Sequence, residues 1–369
     1  MIQGDLMKDE EKLQLDFISF IRFPLIIGVV LIHAWISKVN GINLFDFHYF
    51  HGTPIVSQSL YPVYTVVAHL FSQIIPRISV PLFFFISGFL FFFKIEEFSK
   101  TLYVQKIRRR IRSLFVPYVF WNILAVSIYV IKNELSGESY DLTFTDFCMA
   151  FWNFKGMYTP ACVPFWFIRD LMVLVVLSPL IYLAVKVFKF YVILALSACW
   201  LSLFWIHIFE LNCLSVYFFT LGAYAGIHHI NFVSWSKKYS KVAGLLYFFS
   251  TVGIILFKHC DWSVYLLNIN VLVGIVCCIN GITYLLERKS CKPSHFLESC
   301  TFFVFAFHII LLDLMVGFIG KEALPQSEMV LIVTYFAIPT VAILISVLIY
   351  SVLQGCFPRM ASLITGGRM

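Results

Sequence analysis

The chain has 369 residues, 60% of them hydrophobic and only 13% charged, with a mean hydropathy of +0.88. Soluble domains carry about 25% charged residues, so this composition excludes a water-soluble globular protein, and 41 Phe, 18 Tyr and 8 Trp exclude a disordered, collagen-like or coiled-coil chain. A formal charge of +7 would suggest nucleic acid in a soluble protein, but in a polytopic membrane protein charge is judged by location, and no nucleic-acid partner is expected.

In chain order, Met1 to Leu15 is polar and leads into the apolar run Phe17 to Ile36, which lacks a small-residue cleavage pattern and is expected to be an uncleaved first span. A helix needs about 20 apolar residues to cross the hydrocarbon core. That ruler marks ten candidate spans, at 17–37, 77–97, 112–131, 165–185, 189–207, 213–230, 241–257, 264–285, 299–319 and 330–354. The expected fold is therefore all-α, one transmembrane domain over 1–369, with an N-terminal segment 1–16, a bundle 17–354 and a tail 355–369. Two apolar stretches fit poorly. Tyr61 to Ile75 ends at Pro76-Arg77 and suits an interfacial or broken helix running into the second span, while Phe144 to Phe154 is too short to cross and suits the outer interface; both also suit re-entrant pieces lining a cavity. The connection Val39 to Pro76 is too short to bury a core of its own.

Lys and Arg concentrate on the side that holds both termini, with the run Lys106 to Arg112 the densest, whereas the opposite side carries only Lys38, Lys132, Lys155, Lys258 and Lys321. This bias supports an even number of spans with both ends cytoplasmic. The ten cysteines are scattered through apolar stretches with no C-x-x-C pair, as buried small apolar residues would be, and no metal site is expected. Cys148, Cys162, Cys213 and Cys260, near the outer ends, leave a disulfide open without demanding one.

Ionisable groups inside spans are costly, which makes each a functional candidate. They are Arg22, His33, Arg77, Arg169, Asp170, His308 and Asp313. Arg22 and His33 lie eleven positions apart, so at about 100° per residue they share a helix face, and at a rise of about 1.5 Å per residue they stand about 16 Å apart along it. Either Arg22 snorkels to headgroups and His33 bonds a carbonyl, or His33 is a base in a water-accessible cavity.

The stretch Ile18-Ser19-Phe20-Ile21-Arg22 to Leu31-Ile32-His33 resembles the first-helix signature of the membrane acyltransferase-3 family. Further matches follow in order: Val80-Pro81-Leu82-Phe83-Phe84-Phe85-Ile86-Ser87-Gly88-Phe89-Leu90, the basic run before Pro117-Tyr118, Phe165-Trp166-Phe167-Ile168-Arg169-Asp170-Leu171, and Thr301 to His308. The resemblance covers nearly the whole chain. It implies an integral membrane enzyme that takes an acyl group, commonly acetyl, from cytoplasmic acyl-CoA and passes it to a hydroxyl of a sugar, polysaccharide precursor or other envelope molecule. Acyl-CoA would then be a donor substrate, with no permanently bound cofactor. Many members carry Asp three residues before the signature arginine; here that position is Ser19, and Asp16 lies one turn earlier as a substitute. Some members pass the acyl group to a fused esterase-like domain; ending at Met369, this chain is expected to transfer it directly or to a separate partner.

On this reading His33 is the general base or transient acyl acceptor, and Arg22 supports the inner part of the site. Arg108 and Arg112, which i and i+4 spacing places on one face, would hold the CoA phosphates. Topology control and attraction to anionic membrane lipids account for the same basic cluster. Ser87, Gly88 and Phe89 suit ligand lining or tight helix packing, because the G-x-S-x-G elbow is absent. Adjacent on a helix, Arg169 and Asp170 should point about 100° apart and take different partners, Arg169 orienting an acceptor or pairing structurally. Arg77, Trp166 and His308 complete the candidate cavity, although for His308 taken alone a hydrogen-bonded core histidine is the simpler account. The competing functional class is a secondary transporter or lipid-linked glycan flippase, against which the lack of an internal repeat counts; an inactive structural homologue is a third. Oligomeric state is left open.

Overall fold

The computed structural model describes residues 2–39, 42–137, 142–205, 210–319 and 327–367. Lys321, placed above on the outer side, lies outside the described residues. In lipid every backbone polar group must be satisfied within the protein, and the apolar runs accordingly become helices. In chain order these are α1 (Ile2–His33), α2 (Pro62–His69), α3 (Ser79–Phe92), α4 (Lys100–Arg110), α5 (Val116–Ser136), α6 (Phe144–Met149), α7 (Trp166–Val176) and α8 (Ser178–Phe188). There follow α9 (Phe190–Leu201), α10 (Cys213–Ile227), α11 (Phe232–Lys238), α12 (Ser240–Leu256), α13 (Ser263–Glu287), α14 (His295–Ile319), α15 (Glu328–Cys356) and α16 (Pro358–Thr365).

The protein is an all-α membrane bundle, but its spans do not reach ten by length. Among the described residues six helical stretches are long and apolar enough to cross, and eight if the pairs α7–α8 and α11–α12, bent by 65° and 73°, each form one broken span. The expected spans 189–207 and 213–230 shrink to α9 and α10, with 12 and 15 residues. At about 1.5 Å per residue these fall short of the roughly 30 Å hydrocarbon core. At the α7–α8 break Pro179 lacks an N–H and disfavours helical backbone at the residue before it.

The awkward stretch after Tyr61 takes the broken-helix form. Residues 62–92 run on through a π turn at Leu70–Ile74 and a 3-10 turn at Ile75–Ile78 into α3. Pro76 removes one backbone donor there, and the wide and tight turns together absorb the missing bond. Between α1 and α2 lies an element the sequence reading missed. β1 (Lys38–Val39) pairs with β2 (Ile42–Asn43), and β3 (Phe45–Phe50) pairs antiparallel with β4 (Thr53–Ser59). The two-residue loop of the second hairpin, His51-Gly52, has φ of +47° and +75°, a left-handed pair of the kind that glycine makes accessible and that suits strand twist.

Helix α1 packs on α14, α13, α3, α11 and α15, which puts both its signature residues inside the bundle. Lipid gives little hydrophobic drive between helices, so close packing of small residues carries the association. The contact of α3 with α10 shows this: a Cβ on Gly88 would strike the Phe219 carbonyl, and one on Gly222 would strike the Phe85 carbonyl. Phe89 packs beside it, edge-on to Phe232 with centroids 5.3 Å apart. All ten cysteines are unbridged.

Candidate functional site

Two cavities lie along the face of α1 that Arg22 and His33 share. The smaller, about 390 Å³, is lined by Arg22, Ser87, Arg110, His295, Glu298 and Ser299 among apolar walls. The larger, about 1230 Å³, is lined by His33, Gln73, Arg77, Trp166, Arg169 and Glu210, and is capped by Phe47, Tyr49 and His51 of the hairpin. Val29, Val80, Phe167 and Phe305 line both, so the two spaces abut across a narrow apolar wall.

In the smaller cavity Arg22 forms an ion pair with Glu298 of α14. Neither Asp16 nor the position of Ser19 supplies the carboxylate: the partner comes from a helix 276 positions away in sequence. Glu298 fell one residue outside the expected span 299–319, which is why it escaped notice. The basic run is also placed differently from expectation. Arg108 and Arg112 are exposed, while Arg110 lines the cavity. A π turn at Ile111–Phe115 adds a residue to the helical repeat, so i and i+4 counting across it no longer tracks a single face. Lys106 is spent on packing: its Nζ donates to the Phe91 carbonyl at 2.5 Å and sits 4.8 Å from the Phe91 ring centre. Ser87 lines the cavity, whereas Gly88 and Phe89 serve the α3–α10 contact.

In the larger cavity His33, the last residue of α1, makes no hydrogen bond to the protein among the described residues, so both ring nitrogens are free for a ligand. Its ring centre is 5.5 Å from that of His308 on α14. His308 is fully buried, and its Nδ1 lies 2.7 Å from the Phe305 carbonyl. A carbonyl can only accept, so Nδ1 carries the hydrogen and the neutral ring keeps a lone pair on Nε2, which has no protein partner. His308 is thus both a hydrogen-bonded core histidine and a neighbour of His33.

Arg169 and Asp170 do not diverge as expected but pair with each other, Nη2 to Oδ1 at 3.0 Å, because the long arginine side chain folds back. Arg169 also donates from Nη1 to the carbonyls of Trp152 and Tyr158 and from Nη2 to that of Glu210, while Asp170 accepts from the Asn212 N–H and Ser215 Oγ. Together they tie two connecting segments to the start of α7 and hold that wall of the cavity. Trp166 faces the cavity beside them. Arg77 donates to Gln73 Oε1 at 2.5 Å, and its Nε is buried with no partner. Among the described residues no group of three His, Cys, Asp or Glu side chains could hold a metal ion.

A family model described as an acyltransferase domain, of the acyltransferase-3 type, matches residues 15–351. The succinoglycan biosynthesis protein ExoH of Rhizobium meliloti (strain 1021) is 24% identical over 366 residues, covering 95% of this chain and 92% of that protein. No solved structure matches.

Proposed function

The chain belongs to the membrane acyltransferase-3 family, and from that premise we propose that it transfers an acyl group, commonly acetyl, from cytoplasmic acyl-CoA to a hydroxyl of an envelope polysaccharide or its precursor. The relative that acts in succinoglycan biosynthesis supports a polysaccharide acceptor. The observation that carries the reading is the pair of abutting cavities along one face of α1, with Arg22 in one and His33 in the other. With both termini cytoplasmic in a bacterial inner membrane, the Arg22 cavity opens toward the donor. Arg110, with the exposed Arg108 and Arg112 near its mouth, attracts the CoA phosphates. The acyl thioester then reaches across the wall of Val29, Val80, Phe167 and Phe305 to His33.

His33 takes the proton of the acceptor hydroxyl as its oxygen attacks the thioester carbonyl carbon; the C–O bond forms, the C–S bond breaks, and the CoA thiolate leaves and is reprotonated. His308, 5.5 Å away with its tautomer held by Phe305, positions the His33 ring. A covalent route is equally compatible with this arrangement, with the acyl group resting on His33 before transfer.

The test is acyl-CoA turnover by purified protein in lipid vesicles, with acetyl-CoA as donor and envelope extract as acceptor pool, comparing wild type with His33→Ala. Transfer by wild type and none by a folded His33→Ala supports the reading. Should acetyl-CoA neither react with nor thermally stabilise the wild-type protein, the transporter or flippase class takes its place.

A further inference from the structure

Two of the four arginines that line the cavities, Arg22 and Arg77, are neutralised differently. Arg22 has Glu298. Arg77, inside the broken helix 62–92, forms no ion pair among the described residues; its single partner is the neutral Gln73, and its Nε is buried without one. Glu210, the one acidic side chain lining the larger cavity, is not paired with it. A guanidinium offers five N–H donors and cannot shed its charge, so leaving it uncompensated in a membrane bundle is costly. Trp35, on the same cavity, also has a buried indole N–H with no acceptor. Arg77 and Trp35 share the cavity with His33.

We infer that the larger cavity takes a carboxylate-bearing substrate, its carboxylate seated on the Arg77 guanidinium in the space that also holds His33. Arg77 and His33 line the same cavity, so the carboxylate would share the space of the reacting centre. The aromatic walls at Trp35, Tyr49 and Trp166 suit the faces of a sugar ring. The carboxylate belongs either to an acidic sugar of the acceptor or to the far end of a dicarboxylic acyl group on the donor, and the chemistry at Arg77 is the same. The inference rests on the acyltransferase reading and adds the charge of the substrate to it.

The experiment is a thermal-shift titration of the full chain in detergent at constant ionic strength, using two matched pairs of probes: sodium glucuronate against glucose, and malonyl-CoA against acetyl-CoA. The expected result is that wild type is half-saturated by the anionic member of at least one pair at a concentration roughly tenfold or more below that for the neutral member, in line with a charge-assisted bond. Arg77→Gln should erase that preference and Arg77→Lys should keep part of it. Preference for glucuronate puts the carboxylate on the acceptor; preference for malonyl-CoA puts it on the acyl group. If wild type prefers neither anion, or if the preference survives Arg77→Gln, the inference is overturned, and the wild-type comparison stands even where the variant fails to fold. Turnover measured on the same preparations keeps the two claims apart: His33→Ala should stop transfer while leaving the anionic preference unchanged.

Discussion

The cavities at the two ends of one helix face solve the same problem in opposite ways. Around Arg22 the charge is closed by a carboxylate from α14. Around His33 several polar groups have no protein partner among the described residues: the His33 imidazole itself, the buried Nε2 of a second imidazole, a buried arginine Nε and a buried indole N–H. A closed ion pair shapes a site and holds helices in register, whereas open donors and acceptors wait for substrate. On the proposed reading, the first cavity supports binding and the second carries the chemistry.

The sharpest way to break that contrast is His33→Ala. It should lower acyl transfer by about 10²- to 10⁴-fold, the usual range for a general base, with the fold retained because the ring makes no hydrogen bond to the protein among the described residues. Transfer at near wild-type rate would put the chemistry elsewhere. Next in size, Gly88→Ala and Gly222→Ala should each destabilise the bundle by about 1–3 kcal/mol or more, since the new methyl meets a backbone carbonyl that cannot swing aside. Thermal melting in detergent measures this, and a ligand-lining role for Gly88 would instead leave stability intact and weaken binding.

The closed pair is tested by a double-mutant cycle. Arg22→Gln and Glu298→Gln should each destabilise, and the double variant should be less harmful than their sum, with a coupling of about 0.5–3 kcal/mol; zero coupling would remove the contrast between the cavities. The smallest effect concerns the basic run. Arg110→Ala should weaken acetyl-CoA binding by about tenfold, and Arg108→Ala by less than half as much on a logarithmic scale, as calorimetry or thermal shift would show; the reverse order would restore the simple helical count across Ile111.

How much was legible in the residues follows from which interactions are local. A membrane bundle follows from composition, because about 20 consecutive apolar residues can be buried in lipid and every backbone group must then bond within its own helix. The shared face of Arg22 and His33 follows from helical periodicity, since α1 is unbroken between them. The hairpin at 45–59 was also local, signalled by His51-Gly52 and flanking alternation, and a ruler tuned only to apolar runs passed over it. Bends escaped for a related reason: α7–α8 and α11–α12 satisfy the apolar count while turning by 65° and 73°, and hydropathy has no term for direction.

What the sequence determined by itself was the solvent of this protein, the helical class that solvent enforces and the helix face that carries arginine and histidine, all consequences of interactions within one turn or one apolar run. Tertiary structure alone decided that Glu298 closes Arg22, that His308 stands behind His33, that Arg110 rather than Arg108 or Arg112 faces the cavity, and that among the described residues Arg77 is left without a carboxylate. Each depends on how separate helices are rotated against one another. In lipid that rotation is set by close contacts such as Gly88 on the Phe219 carbonyl, which no periodicity within a single helix encodes.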